Sequence, residues 1–318
     1  MSGRQSAGIR QPSSVIRRRS SPLTRVQALE GYLFAAPWLA GFFVLTAGSM
    51  LFAGWISFHR WDLVNPPKFV GIQNYAYAFT GDPVFWKALL NTIYYSFGSV
   101  PLRVAAALGL AILLNQKVKG LAIFRTIFYL PSVVTGVATA MLWMMLLNPD
   151  VGGINYVLRG MGMENPPRWL GSEQWAMPGL IVMSVWSVGA MMIIFLAGLQ
   201  NVPDEYMDAA RVDGAGPWQR FRAITIPLLT PTILFNVVIS VIASFQVFMQ
   251  AYVMTNGLAS PNNATLTFVF HLYRNAFEYF RMGYASALAW ILFVIILSFT
   301  MLILRSSRSW VHYEGDRA

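Results

Sequence analysis

The stretch Asn201–Pro227, NVPDEYMDAARVDGAGPWQRFRAITIP, reads as two short helices around a glycine turn, set between two long apolar runs. Pro203 suits a first helical turn, with Asp204 and Glu205 against the positive end of the helix dipole. This helix runs to about Val212, and Gly214 supplies a left-handed stop. Pro217 starts the second helix, where Trp218, Phe221 and Ile224 recur every three residues on one face. Pro227 then leads into the next apolar run. The loop carries four acids and three bases, so it is more than a basic lipid anchor. Ala209, Ala210, Gly214 and Ala215 make a compact knuckle that lets another protein's surface approach closely. The same residues also suit an ordinary interhelical hairpin.

Outward from this loop the chain is built for a membrane. Of 318 residues, 56% are apolar and only 11% are charged, against about 25% charged in a soluble domain. The mean hydropathy is +0.52. This balance excludes a cytosolic globular domain, a disordered chain and a coiled coil. Six segments reach the roughly 20 apolar residues of a spanning helix: 31–58, 88–114, 126–147, 176–199, 228–254 and 284–304. They are apolar all round, not alternating as barrel strands are. The predicted fold is therefore all-α, a polytopic membrane protein with six transmembrane helices.

Charge placement gives the orientation. Of the 23 Lys and Arg residues, 15 fall in the N-terminal tail, the 115–125 loop, the 201–227 loop and the C-terminal tail. Seven fall in the three remaining loops, and Arg103 stands apart inside the second span. The positive-inside rule puts both termini in the cytoplasm. Trp61, Trp86, Trp169, Trp175, Tyr252 and Tyr284 flank the outward loops as an interfacial belt. The net charge of +10, which in a soluble protein would suggest nucleic acid, here points to anionic lipid, with no nucleic-acid partner. The basic, Ser- and Pro-rich residues 1–28 form a disordered cytoplasmic tail in this reading, 29–305 the membrane domain, and 306–318 a second tail. The first apolar run is too long for the 7–15-residue core of a cleaved signal peptide.

The spans lack an engine. All 13 acids and all three histidines lie outside them, and the chain has no cysteine. No buried carboxylate is available for proton or sodium coupling. No Ser–His pair, Asp pair or metal set can be assembled in the membrane. The expectation is no catalytic residue, no metal and no enzyme activity, with any transport energy coming from another subunit. A self-contained secondary transporter stands as a weaker second reading. Arg103 is the one ionisable residue at depth. It reads either as a substrate or anion contact, or as an arginine bonded to carbonyls of its own bundle or to a partner chain.

The spacing Asp208-Ala209-Ala210, three residues, Gly214, nine residues, Ile224-Thr225-Ile226-Pro227 resembles the EAA loop of binding-protein-dependent ABC importer permeases. Asp208 replaces the family's Glu and Ile226 its Leu. Asn148–Asn155, Ser244–Phe248 and Thr255-Asn256-Gly257 resemble the carbohydrate-uptake branch, in particular the first permease of the maltose and glycerol-3-phosphate type. After Gly257 the family usually continues Gly-Gly-Pro, where this chain has Leu258-Ala259-Ser260-Pro261. The resemblance implies a type I permease fold in a bacterial or archaeal plasma membrane. It implies a heterodimer with a second homologous permease, an ABC ATPase dimer on the cytoplasmic side and an extracytoplasmic solute-binding protein. Asp208, Ala209, Ala210, Asp213 and Gly214 would form the helix that couples to an ATPase. ATP and Mg would sit on that partner, since this chain has no Gly-rich phosphate loop followed by Lys and binds no cofactor itself. The implied substrate is a sugar, with glycerol-3-phosphate or another polyol derivative as the alternative.

Sugars are bound by hydrogen bonds to hydroxyls and by aromatic faces. Asn236, Ser240 and Ser244 lie at i, i+4 and i+8 in the fifth span, with Gln246 and Gln250 nearby. Ser132, Thr135 and Thr139 share a face of the third, and the fourth offers Ser184, Trp186 and Ser187. Ser132, Trp186, Ser187, Ser240 and Ser244 match sugar-facing positions of the maltose-type permease under the resemblance. The expected pathway set is Ser132, Trp186, Ser187, Asn236, Ser240, Ser244 and Gln246. Small polar residues also serve simply to let helices pack closely.

Overall fold

The structure, a computed structural model, describes residues 22–116 and 120–312. Most of the basic N-terminal tail, Lys117, Lys119 and Arg317 lie outside the described residues. Among the described residues, four helices are long and apolar enough to cross a membrane: Glu30–Ser57, Phe85–Leu114, Pro217–Phe245 and Met282–Ser307. Two bent pairs, Leu121–Ser132 with Gly136–Leu146 and Glu173–Val185 with Gly189–Gln200, bring the number to six when each pair is one span.

By its contacts the chain divides into Met1–Ala53 and Gly54–Ala318. In the first unit a helix runs Pro22–Gly41, followed by a widened turn Phe42–Ala47. Residues 22–28, expected within the disordered tail, are helical instead. Pro22 has no N–H to leave unpaired in a first turn. This unit presents its side chains outward: Phe34 is 87% exposed and no residue of Phe42–Ala47 is buried. Such a surface suits hydrocarbon or a partner chain, not water.

In the second unit, Phe85–Leu114 is the central helix and packs against Glu173–Val185, Gly189–Gln200 and Ile226–Phe245. Toward its C-terminal end, Ala107 and Ala111 are fully buried in a cluster with Phe195, Leu196 and Leu229. Alanines four residues apart form a shallow strip that admits a neighbouring helix closely. A second cluster joins Trp143, Trp169, Leu180 and Phe270, and a third joins Phe85, Phe245, Phe268 and Leu288.

The breaks have local causes. Pro131 ends the helix Leu121–Tyr129 in a tight turn, Leu130–Ser132. Thr135 is extended (ψ 145°), and the chain restarts at Gly136 with a 95° bend. In the fourth span the restart falls on Gly189, where a Cβ would sit 2.6 Å from the Phe128 carbonyl oxygen and 2.7 Å from Tyr129 Cα. Only glycine lets these two backbones meet. The fifth span, expected to continue to Met254, stops at Phe245 and restarts as Met249–Met254. The Val247 carbonyl in this gap accepts the Thr267 hydroxyl at 2.7 Å.

The outward loops carry structure the apolar pattern does not announce. His59–Arg60 pairs antiparallel with Lys68–Phe69, and short helices run Gln73–Thr80, Gly153–Gly160 and Phe268–Tyr273. Asp82 ties Phe268–Tyr273 to the start of Met282–Ser307: its buried carboxylate accepts His271 Nε2 at 2.7 Å, the Tyr284 hydroxyl and the Val84 N–H at 3.0 Å. Burial alone would raise the Asp82 carboxyl, but these hydrogen bonds, with the charge of His271, bring it down to about 2. On the central helix, Asn91 Nδ2 donates to the carbonyls of Asn263 and Leu266, and Thr92 accepts the Phe268 N–H.

Candidate functional site

The 201–227 loop forms a projecting knuckle. Pro203 is extended (ψ 132°), and the helix Asp204–Val212 follows with Asp204 and Glu205 in its first turn. It closes with two bonds, Gly214 N–H to the Arg211 carbonyl at 3.1 Å and Ala215 N–H to the Ala210 carbonyl at 2.9 Å. This is the Schellman pattern, in which the residue after the C-cap adopts left-handed geometry, and Gly214 has φ +76°. Asp208, Ala209, Asp213 and Gly214 are exposed and Ala210 is half-buried. The Asp208 carboxylate meets Arg211 at 2.6 Å on the solvent side. Tyr206, Val212 and Trp218 are also exposed, Val212 by 89%. An apolar tip ringed by charge is the makeup of a protein-docking patch.

The second limb begins with Pro217, and the Gly216 N–H donates to Gln219 Oε1 at 2.8 Å. Pro227 does not break the path into the membrane. The helix Pro217–Arg220 passes through a widened turn, Phe221–Thr225, into Ile226–Phe245 as one 29-residue helix. Pro227 falls within the first turn after the widened segment, where a missing N–H costs little. The His312 N–H donates to Thr230 Oγ1 at 2.9 Å, tying residue 312 to this helix.

A second candidate is a polar cavity of about 450 Å³ where the second to fifth spans converge. Tyr95 and Arg103 come from the second, Ser132, Gly136 and Thr139 from the third, Ser184 and Ser187 from the fourth, Ser244 from the fifth, Gln246 from the gap beyond it and Gln250 from the helix Met249–Met254. No carboxylate lines it. The two span breaks matter here. The breaks at 133–135 and 186–188 leave Ser132 and Ser187 beside open space, and the gap at 246–248 does the same for Gln246.

Of the seven expected pathway residues, four (Ser132, Ser187, Ser244 and Gln246) are brought together on this wall. Trp186 is not on it; it is 47% exposed and stands edge-on to Trp143 at 6.2 Å. Asn236 and Ser240 are buried in the bundle instead, at 2% and 1% exposure. Asn236 Nδ2 donates to the Thr232 carbonyl at 3.0 Å. Their stripe continues to Ser244, whose hydroxyl donates to Ser96 Oγ of the central helix at 2.8 Å. The stripe is thus a seam between packed helices, and only its outer end reaches the cavity. Tyr95 and Arg103 were absent from the expected set. The signal for Arg103 was visible as a lone charge in an apolar span, whereas nothing in its sequence surroundings distinguishes Tyr95.

Comparison with known proteins agrees with this layout. Residues 103–309 match the family described as binding-protein-dependent transport system inner membrane component. The probable ABC transporter permease protein YesP of Bacillus subtilis is 42% identical over 298 residues, spanning 93% of this chain and 96% of that protein. The trehalose/maltose transport system permease protein MalF of Thermococcus litoralis is 33% identical over 294 residues, 91% of this chain and 97% of that one. A chain in the crystal structure of a bacterial alginate ABC transporter, in complex with an alginate pentasaccharide-bound periplasmic protein, shares the fold. Its TM-score is 0.76 at 23% identity, covering 90% of this chain and 96% of that chain.

Proposed function

This chain belongs to the family of binding-protein-dependent transport system inner membrane components, and we propose that it is a permease subunit of an ATP-driven sugar importer. It is a multi-pass inner-membrane protein that forms half of a translocation pathway. A second, homologous permease supplies the other half, an external solute-binding protein delivers the sugar, and a pair of ABC ATPases drives the cycle. ATP and Mg belong to the ATPases. The observation that carries the reading is the exposed knuckle, with Asp208, Ala209, Ala210, Asp213 and Gly214 around a Schellman turn, joined by unbroken helix to the cavity wall.

In this reading the knuckle seats in an ATPase cleft. Closure of the ATPase pair on ATP shifts the knuckle, and the state of the spans is linked to that shift because each arrangement binds the ATPases with a different free energy. Ser132, Ser187, Ser244 and Gln246 offer hydroxyl and amide partners to a passing sugar. The test is reconstitution. Vesicles holding this chain with its second permease, the ATPases and the binding protein accumulate sugar when ATP is present. Vesicles holding only this chain accumulate none, and accumulation against a gradient by the lone chain would refute the proposal.

A further inference from the structure

Arg103 lies on the cavity wall with Tyr95, Ser184, Ser187, Gln246 and Gln250. Among the described residues its buried Nε has no hydrogen-bond partner, as is also true of the Nε atoms of Arg125, Arg220 and Arg274. Among the described residues the ion pairs are Lys87–Glu173, Arg211–Asp208, His271–Asp82 and Arg274–Glu278, none of which includes Arg103. Other arginines of this chain show what a structural role looks like. Arg274 donates to the Gly257 carbonyl at 2.7 Å and lies over the Phe270 ring at 4.9 Å. Arg159 grips the carbonyls of Pro149 and Asp150. Among the described residues, Arg103 makes no such carbonyl or ring contact.

A cation inside an apolar span costs at least about 2.5 kcal/mol and persists where it faces a partner or a polar cavity. Here the cavity is polar, of small-molecule size and free of carboxylates. A planar guanidinium presents paired donors that match a carboxylate in two parallel hydrogen bonds. The surrounding serine hydroxyls and glutamine amides match sugar hydroxyls. We propose that Arg103 is the recognition point for a carboxylate on the transported sugar, so that the substrate class is uronate-bearing saccharides. This rests on the sugar-importer reading above and narrows it.

The experiment uses the assembled transporter, with both permeases, the ATPases and the binding protein, carrying native Arg103, Arg103→Gln or Arg103→Lys. Uptake is measured for galacturonate and its oligomers of two and three units, and for galactose and its corresponding neutral oligomers. The native transporter takes up a galacturonate probe. Arg103→Gln lowers that uptake by at least about tenfold, the lower end of what a charge-assisted hydrogen bond supplies, with recovery of the complex unchanged. Arg103→Lys restores part of it, because the charge returns without the fork. Native uptake confined to neutral sugars, or equal uptake by native and Arg103→Gln transporters, would overturn the uronate assignment and leave the permease reading standing. Loss of the second permease from the Arg103→Gln complex would also overturn it, since Arg103 would then pair with that subunit. A native, intact complex that takes up no saccharide would instead overturn the sugar-importer reading on which the assignment rests.

Discussion

Replacing Gly214 isolates the knuckle from everything behind it. The residue is exposed, nothing lies within 4 Å of where a Cβ would sit, and φ is +76°. A side chain here meets no neighbour, so the penalty comes from backbone geometry alone. An L-residue in left-handed geometry costs about 1–2 kcal/mol, whereas asparagine tolerates it better. The strain is released if the turn opens, which breaks the Gly214-to-Arg211 and Ala215-to-Ala210 bonds that set the direction of the second limb. A bias of 1–2 kcal/mol shifts a two-state balance by roughly 5- to 30-fold. Apparent affinity falls with the fraction of knuckle still in the docking shape. Titrating the ATPase onto solubilised permease complex carrying native Gly214, Gly214→Asn or Gly214→Val gives the measurement. Valine weakens binding by that factor, asparagine by much less, and the thermal unfolding midpoint of the spans stays where it was. Equal affinity for the native and valine forms would refute the argument, as would an asparagine form no better than valine.

Three further outcomes follow from the cavity, the helix seam and the outer knot. Ser187→Leu with Gln246→Leu lowers sugar uptake while the permease complex is recovered in full. Asn236→Leu, which crowds the helix seam, lowers the unfolding midpoint by overpacking worth about 1–3 kcal/mol; comparing uptake and thermal melts of the two variants separates wall from seam. Asp82→Asn removes one partner of a buried pair and destabilises the solubilised protein by about 3–5 kcal/mol. Because the folded Asp82 carboxyl titrates below its ordinary 3.8, at about 2, its contribution is complete above 3.8 and fades as the pH falls toward 2. The difference in melting between native and Asp82→Asn therefore narrows as the pH falls from about 4 toward 2; a difference unchanged across that range would count against this role.

The apolar runs made the spans legible, since a membrane asks only for length and the absence of charge. The knuckle was legible because Pro203, Gly214 and Pro217 each act through their own backbone chemistry, which needs no distant partner. The bends were harder to read. Pro131 marks a break, but the 95° angle depends on how Gly136–Leu146 packs against Met249–Met254. The stop at Phe245 is accommodated by the Thr267 hydroxyl, 20 residues beyond the Val247 carbonyl it bonds and out of reach of any local pattern. The Asp82 knot joins groups 189 and 202 residues apart. Periodicity placed Asn236, Ser240 and Ser244 on one face, yet a face does not say what it meets. Here Asn236 and Ser240 are buried in the bundle, and of the three it is Ser244 that reaches the cavity.

The unbroken run from Pro217 to Phe245 sets the gearing of the molecule. At 1.5 Å per residue its 29 residues make a shaft roughly 43 Å long, so each degree of tilt at the inner end sweeps the far end by roughly 0.7 Å. The widened turn at Phe221–Thr225 and the two prolines, Pro227 and Pro231, all lie in the inner half of that shaft. A bend in this shaft would fall near the knuckle, and the outer half would carry Ser244 as a single stiff piece.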